Sequence, residues 1–402
     1  MDLLNKMFIE DIEVKGKKVI MRVDFNVPLN ANLEITSDKR IVAALPSIKY
    51  LIENGAALIL MSHLGRPKGE KKPEMSLKPV AARLSELLGK EVKMAPDCIG
   101  AEVEAMAKDL AEGEVLLLEN LRYYKEETAN DAGFAEKLAS LADVFVNDAF
   151  GTAHRAHAST EGVTKFFEVS AMGYLLKKEV EFLVGAIENA EKPFVAIIGG
   201  SKISGKIDVI KQLLPKVDKL IIGGGMAYTF FKAKGLEIGN SLLEEDKIDL
   251  AKELMAEAGD KLVLPIDNLV TDALDFGAMT VGNTKVAASD AMEAGWIGVD
   301  LGPEATKLAK DITTSAKTVL WNGPMGISEI KECADGTFTV AQALADATKN
   351  GAVTVIGGGD SVSAIERAGL ANEVSHVSTG GGASLELLEG KILPGLTALT
   401  DK

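Results

Sequence analysis

The chain has 402 residues, 47% of them hydrophobic, and a formal net charge of −15 at pH 7. Its length suits two domains with sizeable cores, and the charge argues against nucleic acid and anionic membranes as partners. Its two cysteines are too few for a disulfide framework or a thiolate metal cluster. Because neither a signal peptide nor a run of about 20 apolar residues occurs, we expect a cytoplasmic protein without a membrane span.

Short apolar runs alternate with amphipathic segments along the first half of the chain. The runs predict strands at Lys18–Val23, Ala57–Met61, Glu114–Leu118 and Val144–Asn147. The amphipathic segments predict helices at Ser37–Asn54, Leu77–Leu88 and Ala132–Leu141. Pro46 is expected to kink the first of these helices. Such alternation is typical of a parallel sheet that is covered by helices on both faces.

The second half repeats this rhythm. Its strands are predicted within FVAIIGG, KLIIGGG, KLVLPID, KTVLWNG and VTVIGGG, and its helices at Ile207–Leu214, Asp246–Ala258 and Thr339–Lys349. Between the halves, Met172–Ala190 carries apolar residues at helical spacing and predicts a long connecting helix. The pattern therefore predicts the fold class α/β, with two doubly wound, Rossmann-like parallel-sheet domains joined by a helix.

Arginine and glycine are segregated along the chain. Six of the seven arginines lie at or before residue 155, whereas the glycine clusters fall later, at 199–200, 223–225, 357–359 and 380–382. Arginine binds phosphate and carboxylate groups bidentately. Glycine turns let backbone N–H groups and helix N-termini approach a phosphate. The first half is thus suited to a small anion and the second to a nucleotide.

Polar residues follow each of the four strands predicted in the first half, where the crevice of an open parallel sheet lies. They lie in RVDFNVP, SHLGRP, ENLRYY and DAFGTAHRAH, and include Asp24, Asn26, His63, Arg66, Arg122 and Arg155. The first segment could equally be a turn that ends at Pro28, and Arg122 could form only a surface salt bridge. His154 and His157 could bind zinc, but with no third ligand nearby in sequence an anion is favoured.

Arg40 lies in the first turn of the helix that is predicted to begin near Ser37. A cation there opposes the helix dipole. That local cost makes Arg40 a better candidate for function than an ordinary surface arginine.

The segment FVAIIGGSKISGKID contains Gly200-x-x-x-x-Gly205-Lys206, which is nearly a P-loop. Ile207 stands where that motif needs a hydroxyl for Mg²⁺, so the match fails at a metal ligand. Lys202 is four residues before Lys206, and on one helical turn the two would share a face and favour an intervening anion.

Asp360 opens a predicted helix after a triple glycine, either as its cap or as a Mg²⁺ ligand. The N–H groups at Gly380–Gly382 could hold a phosphoryl group at another helix start. The segments around Trp321 and Trp296 could wall an adenine pocket, or could be only turns.

These segments together resemble the signature segments of the phosphoglycerate kinase family, in that family's order. They are RVDFNVP, SHLGRP, ENLRYYKEE, DAFGTAHRAH, GGSKISGK, GWIGVDLGP, WNGPMG, GGGDS and STGGGAS, and they run from residue 22 to residue 384. The resemblance implies a monomeric, cytoplasmic, two-domain hinge-bending kinase of glycolysis. Its reversible reaction would convert 1,3-bisphosphoglycerate and ADP into 3-phosphoglycerate and ATP, with Mg²⁺, by in-line transfer on domain closure.

The resemblance also implies domain limits and residue roles. Residues 1–172 would bind 3-phosphoglycerate, with the tail at about 388–402 packed back on them, and 173–387 would bind the nucleotide. Arg40, Lys202, Gly380 and Gly381 would act on the transferred group, and Asp360 would hold the metal. The substrate would be bound by Asp24, Asn26, Arg40, His63, Arg66, Arg122 and Arg155. The nucleotide would be bound by Gly200, Ser201, Lys206, Gly224, Gly298, Asn322, Pro324, Glu329, Gly358, Gly359, Asp360 and Ser361.

Two segments depart from the family pattern. Ile327-Ser328-Glu329 replaces the common Val-Phe-Glu, which keeps the glutamate for a ribose contact, and Asp275–Asn283 is less typical. Two other functions stay open: a P-loop-type NTPase that uses Gly200–Lys206, and a nucleotide or phosphate sensor on a kinase scaffold. Substrate-independent ATP hydrolysis would favour the first, and ATP binding without transfer the second.

Overall fold

A computed structural model describes residues 2–402 of the chain. Its contacts divide into two compact units. The first unit runs to Glu181 and also includes Ile392–Lys402, and the second comprises Phe182–Lys391. No helix within residues 2–402 is long and apolar enough to span a membrane.

The first unit is built on a six-stranded parallel sheet. Its strands are β1 (Lys18–Arg22), β2 (Ala57–Met61), β3 (Val92–Met94), β4 (Val115–Leu117), β5 (Val144–Asn147) and β6 (Ser170–Met172). Their order in the sheet is β3-β4-β2-β1-β5-β6, and every pairing is parallel. Four of these strands match the predicted ones to within one residue at each end, because continuous apolar runs are typical of parallel strands that are buried on both faces.

The helices of the first unit cover this sheet. They are α1 (Lys39–Glu53), α2 (Lys78–Leu88), α3 (Ala101–Lys108), α4 (Lys125–Thr128), α5 (Ala132–Ala139), α6 (Tyr174–Val180) and, from the tail, α15 (Pro394–Thr397). Helix α2 begins with proline in its first turn and ends at Gly89, whose φ of 63° is left-handed. Helix α1 continues through Pro46. Its buried face packs into the core formed by β1, β2 and α2.

The second unit contains eleven strands. They are β7 (Phe194–Ile198), β8 (Lys219–Ile222), β9 (Leu262–Val263), β10 (Asp267–Thr271), β11 (Leu274–Asp275), β12 (Thr280–Val281), β13 (Thr284–Ala288), β14 (Ile297–Leu301), β15 (Thr318–Asn322), β16 (Val353–Gly357) and β17 (His376–Val377). Six of them form a second parallel sheet, in the order β17-β16-β15-β7-β8-β9. Two parallel six-stranded sheets with helices confirm the predicted α/β fold class.

The helices of the second unit begin with a short segment that follows the unit boundary. They are α7 (Ala186–Glu188), α8 (Ile207–Leu213), α9 (Ala227–Ala233), α10 (Ile248–Ala258), α11 (Pro303–Thr314), α12 (Asp335–Lys349), α13 (Gly359–Arg367) and α14 (Gly382–Leu388). Between α6 and α7, Glu181–Gly185 form a π-helical turn. The single helix predicted at Met172–Ala190 is therefore shorter than expected and interrupted. A glycine at the end of the turn has low helix propensity, which fits the irregularity.

An antiparallel part of the second unit was not predicted. Strand β10 lies between β13 and β14, and β11 pairs with β12 as a hairpin. The segment KLVLPID does not form one strand, because Pro265 separates the end of β9 from the start of β10. The less typical stretch Asp275–Asn283 includes the hairpin turn. Strands β11 and β12 have only two residues each, and β10, β13 and β14 are interrupted by polar residues or glycine, so none shows the continuous apolar run that indicated the parallel strands.

Candidate active site

A cavity of about 560 Å³ in the first unit, here called the anion cavity, brings together three of the seven predicted substrate-binding residues, Arg66, Arg122 and Arg155. It lies near loops that follow β2, β4 and β5, and the carboxyl ends of parallel strands open at one edge of the sheet. Its lining is Arg66, Lys68, Gly69, Arg122, Tyr124, Lys125, Thr128, Arg155 and His157. Five of these side chains are arginine or lysine and none is a carboxylate, so the cavity favours an anion.

Arg122 is the most buried arginine of that lining. Its Nη1 donates to the carbonyl oxygen of Gly65 at 3.0 Å, while its buried Nε has no acceptor within residues 2–402. Burial, and next the neighbouring charge of Arg22, lower the pKa of Arg122 to about 10. The guanidinium therefore stays charged at neutral pH, and a bound anion would supply the missing acceptor.

The loop that carries Arg66 is held by two asparagine side chains. Asn26 Oδ1 accepts from the backbone N–H of Gly65 at 2.8 Å. Asn120 accepts from the N–H of Leu64 at 3.2 Å and donates to its carbonyl oxygen at 2.7 Å. Asn26 thus shapes the site through the backbone. Asn120 was not predicted as a site residue, although it directly follows the end of a buried strand region, as the predicted residues do.

Asp24 and Arg40 meet as an ion pair beside this loop. Arg40 Nη1 lies 3.0 Å from Asp24 Oδ1 and 3.2 Å from Oδ2, and it also donates to the carbonyl oxygen of Asn26 at 3.0 Å. Arg40 is the second residue of α1 and so lies in its first turn, as predicted, and its side chain is 45% exposed. The N-cap of this helix is Asp38, which makes no side-chain capping bond, so the predicted start near Ser37 is displaced by one residue.

His63 and His157 are neutral parts of the site. His63 is buried, and burial followed by the charge of Arg22 holds its pKa well below the usual range. Burial followed by the charge of Arg122 lowers the pKa of His157 to about 4. His157 is therefore uncharged at neutral pH, and the positive charge of the cavity comes from its arginine and lysine side chains. No cluster of three metal-ligating side chains occurs in residues 2–402, which leaves zinc at His154 and His157 unsupported.

A second cavity, of about 500 Å³, lies in the second unit and is here called the glycine cavity. Its lining includes seven residues predicted to bind a nucleotide, namely Gly200, Ser201, Gly224, Gly298, Pro324, Glu329 and Asp360. Much of the remaining wall is apolar. Ile297 and Val299 belong to the segment around Trp296 that could wall an adenine pocket, whereas no sequence pattern indicated Tyr228, Leu242, Leu274, Phe276, Met325 and Ile327. Several of these come from the antiparallel strands, whose sequence signal is weak.

Glycine is required where the walls of this cavity approach each other. A Cβ atom at Gly298 would lie 1.9 Å from the hydroxyl oxygen of Tyr228. One at Gly224, whose φ is +70°, would lie 2.4 Å from the carbonyl oxygen of Gly200. The backbone also connects these loops, since Gly200 N–H donates to Pro324 at 3.0 Å. The glycine clusters therefore let the loops after β7, β8 and β15 pack closely.

Lys202 and Lys206 do not share a helical face. A 3₁₀ turn, Ile203–Gly205, separates them, and α8 begins only at Ile207. Lys202 is exposed, whereas Lys206 points inward and donates to Asn322 Oδ1. Burial is the main cause that lowers the pKa of Lys206. The predicted pairing on one turn is thus wrong, because the backbone there is not α-helical.

The start of α13 carries Asp360, which lines the glycine cavity, and Ser361, which does not. Ser361 is buried, and its hydroxyl accepts from Gly323 N–H at 2.5 Å. Asp360 is exposed in the first turn of α13 and does not cap it, since the N-cap is Gly358 and makes no side-chain bond. Gly380 and Gly381 directly precede α14 and are not part of the cavity lining.

Arg367 explains how the unusual Ser328 fits. Its Nη1 donates to the carbonyl oxygen of Ser328 at 2.7 Å, and its Nη2 donates to the hydroxyl at 2.8 Å. The guanidinium also lies 5.6 Å from the ring centre of Phe338. The only late arginine therefore supports the backbone that leads to Glu329, and does not line either cavity.

An arginine-rich cavity on one α/β unit and a glycine-lined, partly apolar cavity on another are the features of a two-domain α/β kinase. The sequence profile of the family described as phosphoglycerate kinase matches residues 9–391. The phosphoglycerate kinase of Chloroherpeton thalassium is 58% identical over 401 residues, covering 99% of this chain and all of that protein. The cytosolic phosphoglycerate kinase of Triticum aestivum is 58% identical over 394 residues, 97% of each chain.

A solved structure agrees with these relatives. The phosphoglycerate kinase of Coxiella burnetii superimposes with a TM-score of 0.90 at 42% identity, and the match covers 98% of both chains. The chain therefore belongs to the phosphoglycerate kinase family and is a phosphotransferase.

Proposed function

We propose that the protein reversibly converts 1,3-bisphosphoglycerate and ADP into 3-phosphoglycerate and ATP. The observation that carries this proposal is the anion cavity, where five cationic side chains face a space without a carboxylate. A substrate with a phosphate and a carboxylate matches that charge. Family membership supplies the reaction type, and the cationic lining of the cavity supports the first unit as the acceptor side.

On the acceptor side, Arg66, Arg122 and Arg155 would bind the phosphate of 3-phosphoglycerate. The unpaired Nε of Arg122 supports this role, because it needs an acceptor that residues 2–402 do not provide. Asp24, Asn26 and His63 would bind the rest of the molecule. Arg40 and Lys202, which are both exposed, would stabilise the charge that spreads over the transferred group.

On the nucleotide side, the apolar wall of the glycine cavity would hold the base and Glu329 the ribose. The glycine loops at Gly200 and Gly224 would admit a phosphate chain near Lys206, whose half-buried ammonium donates to Asn322 Oδ1. Gly358, Gly359 and Ser361 would shape this region from the start of α13. Gly380 and Gly381 would present backbone N–H groups to the phosphoryl group during its transfer.

The residues present fit a magnesium ion that arrives with the nucleotide. Mg²⁺ is usually held by one or two carboxylates together with substrate phosphates. Asp360 supplies one exposed carboxylate in the lining of the glycine cavity. When bound there, the ion would neutralise phosphate charge.

Transfer to a carboxylate needs no general base, since the acceptor already carries its charge. The neutral states of His63 and His157 agree with binding roles instead of proton transfer. The chain's contribution would be positioning and charge stabilisation, with in-line transfer when the two half-sites come together and exclude water. We further propose a monomer in the cytoplasm, where two buried free thiols, Cys98 and Cys333, would persist.

The residue roles are tested by initial rates with ATP, Mg²⁺ and 3-phosphoglycerate, with the product removed by a coupled reductive step. We expect Arg40→Ala and Lys202→Ala to lower kcat by roughly 100-fold or more, the loss typical of a removed transition-state contact. Lys90→Ala and Lys252→Ala are controls that remove exposed lysines from outside both cavities. Near-normal turnover in both active-site variants would refute these roles.

A further inference from the structure

Behind the anion cavity, the fully buried Arg22 makes three directed hydrogen bonds. Its Nε donates to Ser159 Oγ at 2.8 Å, and its Nη2 lies 2.9 Å from His63 Nδ1. Its Nη1 donates to the carbonyl oxygen of Val23. Arginine can only donate, so His63 Nδ1 must accept, and the neutral ring carries its proton on Nε2.

Glu127 lies on the far side of Ser159 and is also fully buried. Its Oε1 accepts from the Ser159 hydroxyl at 2.6 Å, and its Oε2 accepts from the Ser159 backbone N–H at 3.0 Å. Both oxygens of Glu127 thus accept a hydrogen bond, which is consistent with the ionised carboxylate, a group that only accepts. The charge of Arg22 favours that form, while burial opposes it and raises the pKa of Glu127.

The direction of the hydroxyl bond matters. Because Ser159 donates its only hydroxyl proton to Glu127, its lone pairs are left to accept from Arg22 Nε. That acceptor fixes the rotation of the guanidinium plane, and the plane places Nη2 against His63. A chain of hydrogen bonds, here called the relay, thus runs from His63 through Arg22 and Ser159 to Glu127, and each bond polarises the next.

We propose that Glu127 is a positioning residue for the anion cavity, and that it holds His63, through Ser159 and Arg22, in the tautomer that offers Nε2–H to the substrate. This rests on the proposed function of the cavity. Glu127 does not line the cavity and would not touch substrate. Its carboxylate also balances part of the positive charge that the arginines concentrate there.

The test compares Glu127→Gln with wild type by steady-state kinetics and by ¹⁵N NMR of the histidine rings. Glutamine can accept from the Ser159 hydroxyl or from the Ser159 N–H but not from both, so one of these bonds is lost, and Arg22 loses its buried counter-charge. We expect the KM for 3-phosphoglycerate to rise roughly tenfold, the lower end of the range for outer-shell groups at metal sites. The KM for ATP should stay within about twofold of the wild-type value, because the substitution acts on the anion cavity and not on the glycine cavity.

The spectroscopic signature concerns His63, one of four histidines, assigned by its loss in His63→Gln. In wild type, Nδ1 should resonate as an unprotonated nitrogen and Nε2 as a protonated one. In Glu127→Gln, both should move toward the average of two tautomers. Ser159→Ala should give the same shift, and it keeps the test decisive if Glu127→Gln does not fold.

Two control variants separate positioning from lost stability. Leu84→Ala removes a core side chain of α2 and destabilises the first unit away from the relay. Glu114→Gln removes a carboxylate that pairs with Lys93 at 2.7 Å on the surface. A KM for 3-phosphoglycerate no higher than in Leu84→Ala, equal rises in both KM values, or an unchanged His63 tautomer would overturn the proposal. If wild type showed no turnover with 3-phosphoglycerate, the proposed function would fail, while the tautomer measurement would still test the relay.

Discussion

Asp300 gives the most quantitative prediction. It is buried in the lining of the glycine cavity, where Oδ2 accepts from Gly336 N–H at 2.9 Å. Its Oδ1 has no hydrogen-bond partner within residues 2–402. Burial is the main reason that the pKa of this carboxyl is raised from 3.8 to about 7. The fold therefore prefers the protonated acid, and replacing it with the neutral amide of asparagine should relieve a cost that appears only when the acid ionises.

The size of that cost follows from the shift. A displacement of about 3 pKa units corresponds to about 4 kcal/mol of unfolding free energy, at 1.36 kcal/mol per unit. Because the folded pKa is the higher one, the stability that Asp300 contributes is complete below pH 3.8 and is lost as the pH rises through about 7. Asp300→Asn should thus gain up to about 4 kcal/mol over wild type at pH 8, relative to any difference at pH 4. A packing change caused by the amide would be the same at both pH values and would cancel.

The assay is urea unfolding followed by tryptophan fluorescence. The chain has two tryptophans, Trp296 and Trp321, and both belong to the second unit, so the signal reports the unit that contains Asp300. Asp311→Asn is a matched control, because Asp311 is exposed on α11 and pairs with Lys307. A gain in unfolding free energy of Asp300→Asn over wild type that is equal at pH 4 and pH 8, or larger at pH 4, would refute the reasoning.

Three further predictions concern the two cavities. Arg122→Lys should raise the KM for 3-phosphoglycerate by about 10- to 100-fold in steady-state kinetics, because lysine cannot bind a phosphate bidentately. An unchanged KM would contradict the proposal that Arg122 binds the substrate phosphate. Gly298→Ala should lower Tm and raise the KM for ATP, because the new Cβ atom would clash with the Tyr228 hydroxyl. Gly205→Ala should leave Tm unchanged, because no heavy atom lies within 4 Å of the new Cβ atom. The pKa of His157, about 4 in the free protein, should rise when inorganic phosphate or 3-phosphoglycerate partly neutralises its arginine neighbours. Without ligand, the stability that this histidine contributes is complete above pH 6.5 and is lost as the pH falls through about 4. The pKa of His157 is measured by NMR titration, and an unchanged pKa on adding either ligand would count against an anion in this cavity.

The parallel sheets were predictable because their strands are continuous apolar runs, as in Ala57–Met61, where every residue is buried. The polar residues after those runs were predictable for the same reason, since strand ends in a parallel sheet share one edge. His63, Arg66 and Arg122 follow neighbouring strands and lie in one site region.

The unpredicted parts lack such local signals. Phe276 reaches the glycine cavity from a hairpin whose strands have two residues each. Glu127 and Ser159 are 32 positions apart, and no local pattern marks a buried acid in the charged stretch KEET. The spacing of Lys202 and Lys206 does not show their positions, because a 3₁₀ turn and an α-helical turn place residues four apart differently. Such features depend on tertiary contacts.

The central claim is that the anion cavity accepts 3-phosphoglycerate as the partner of ATP. The direct measurement is ADP formation from ATP by the wild-type protein with Mg²⁺, with and without 3-phosphoglycerate, while the acyl-phosphate product is removed reductively. We expect rapid ADP formation that depends strongly on 3-phosphoglycerate. ADP formation indifferent to 3-phosphoglycerate, or ATP binding without turnover, would contradict the claim.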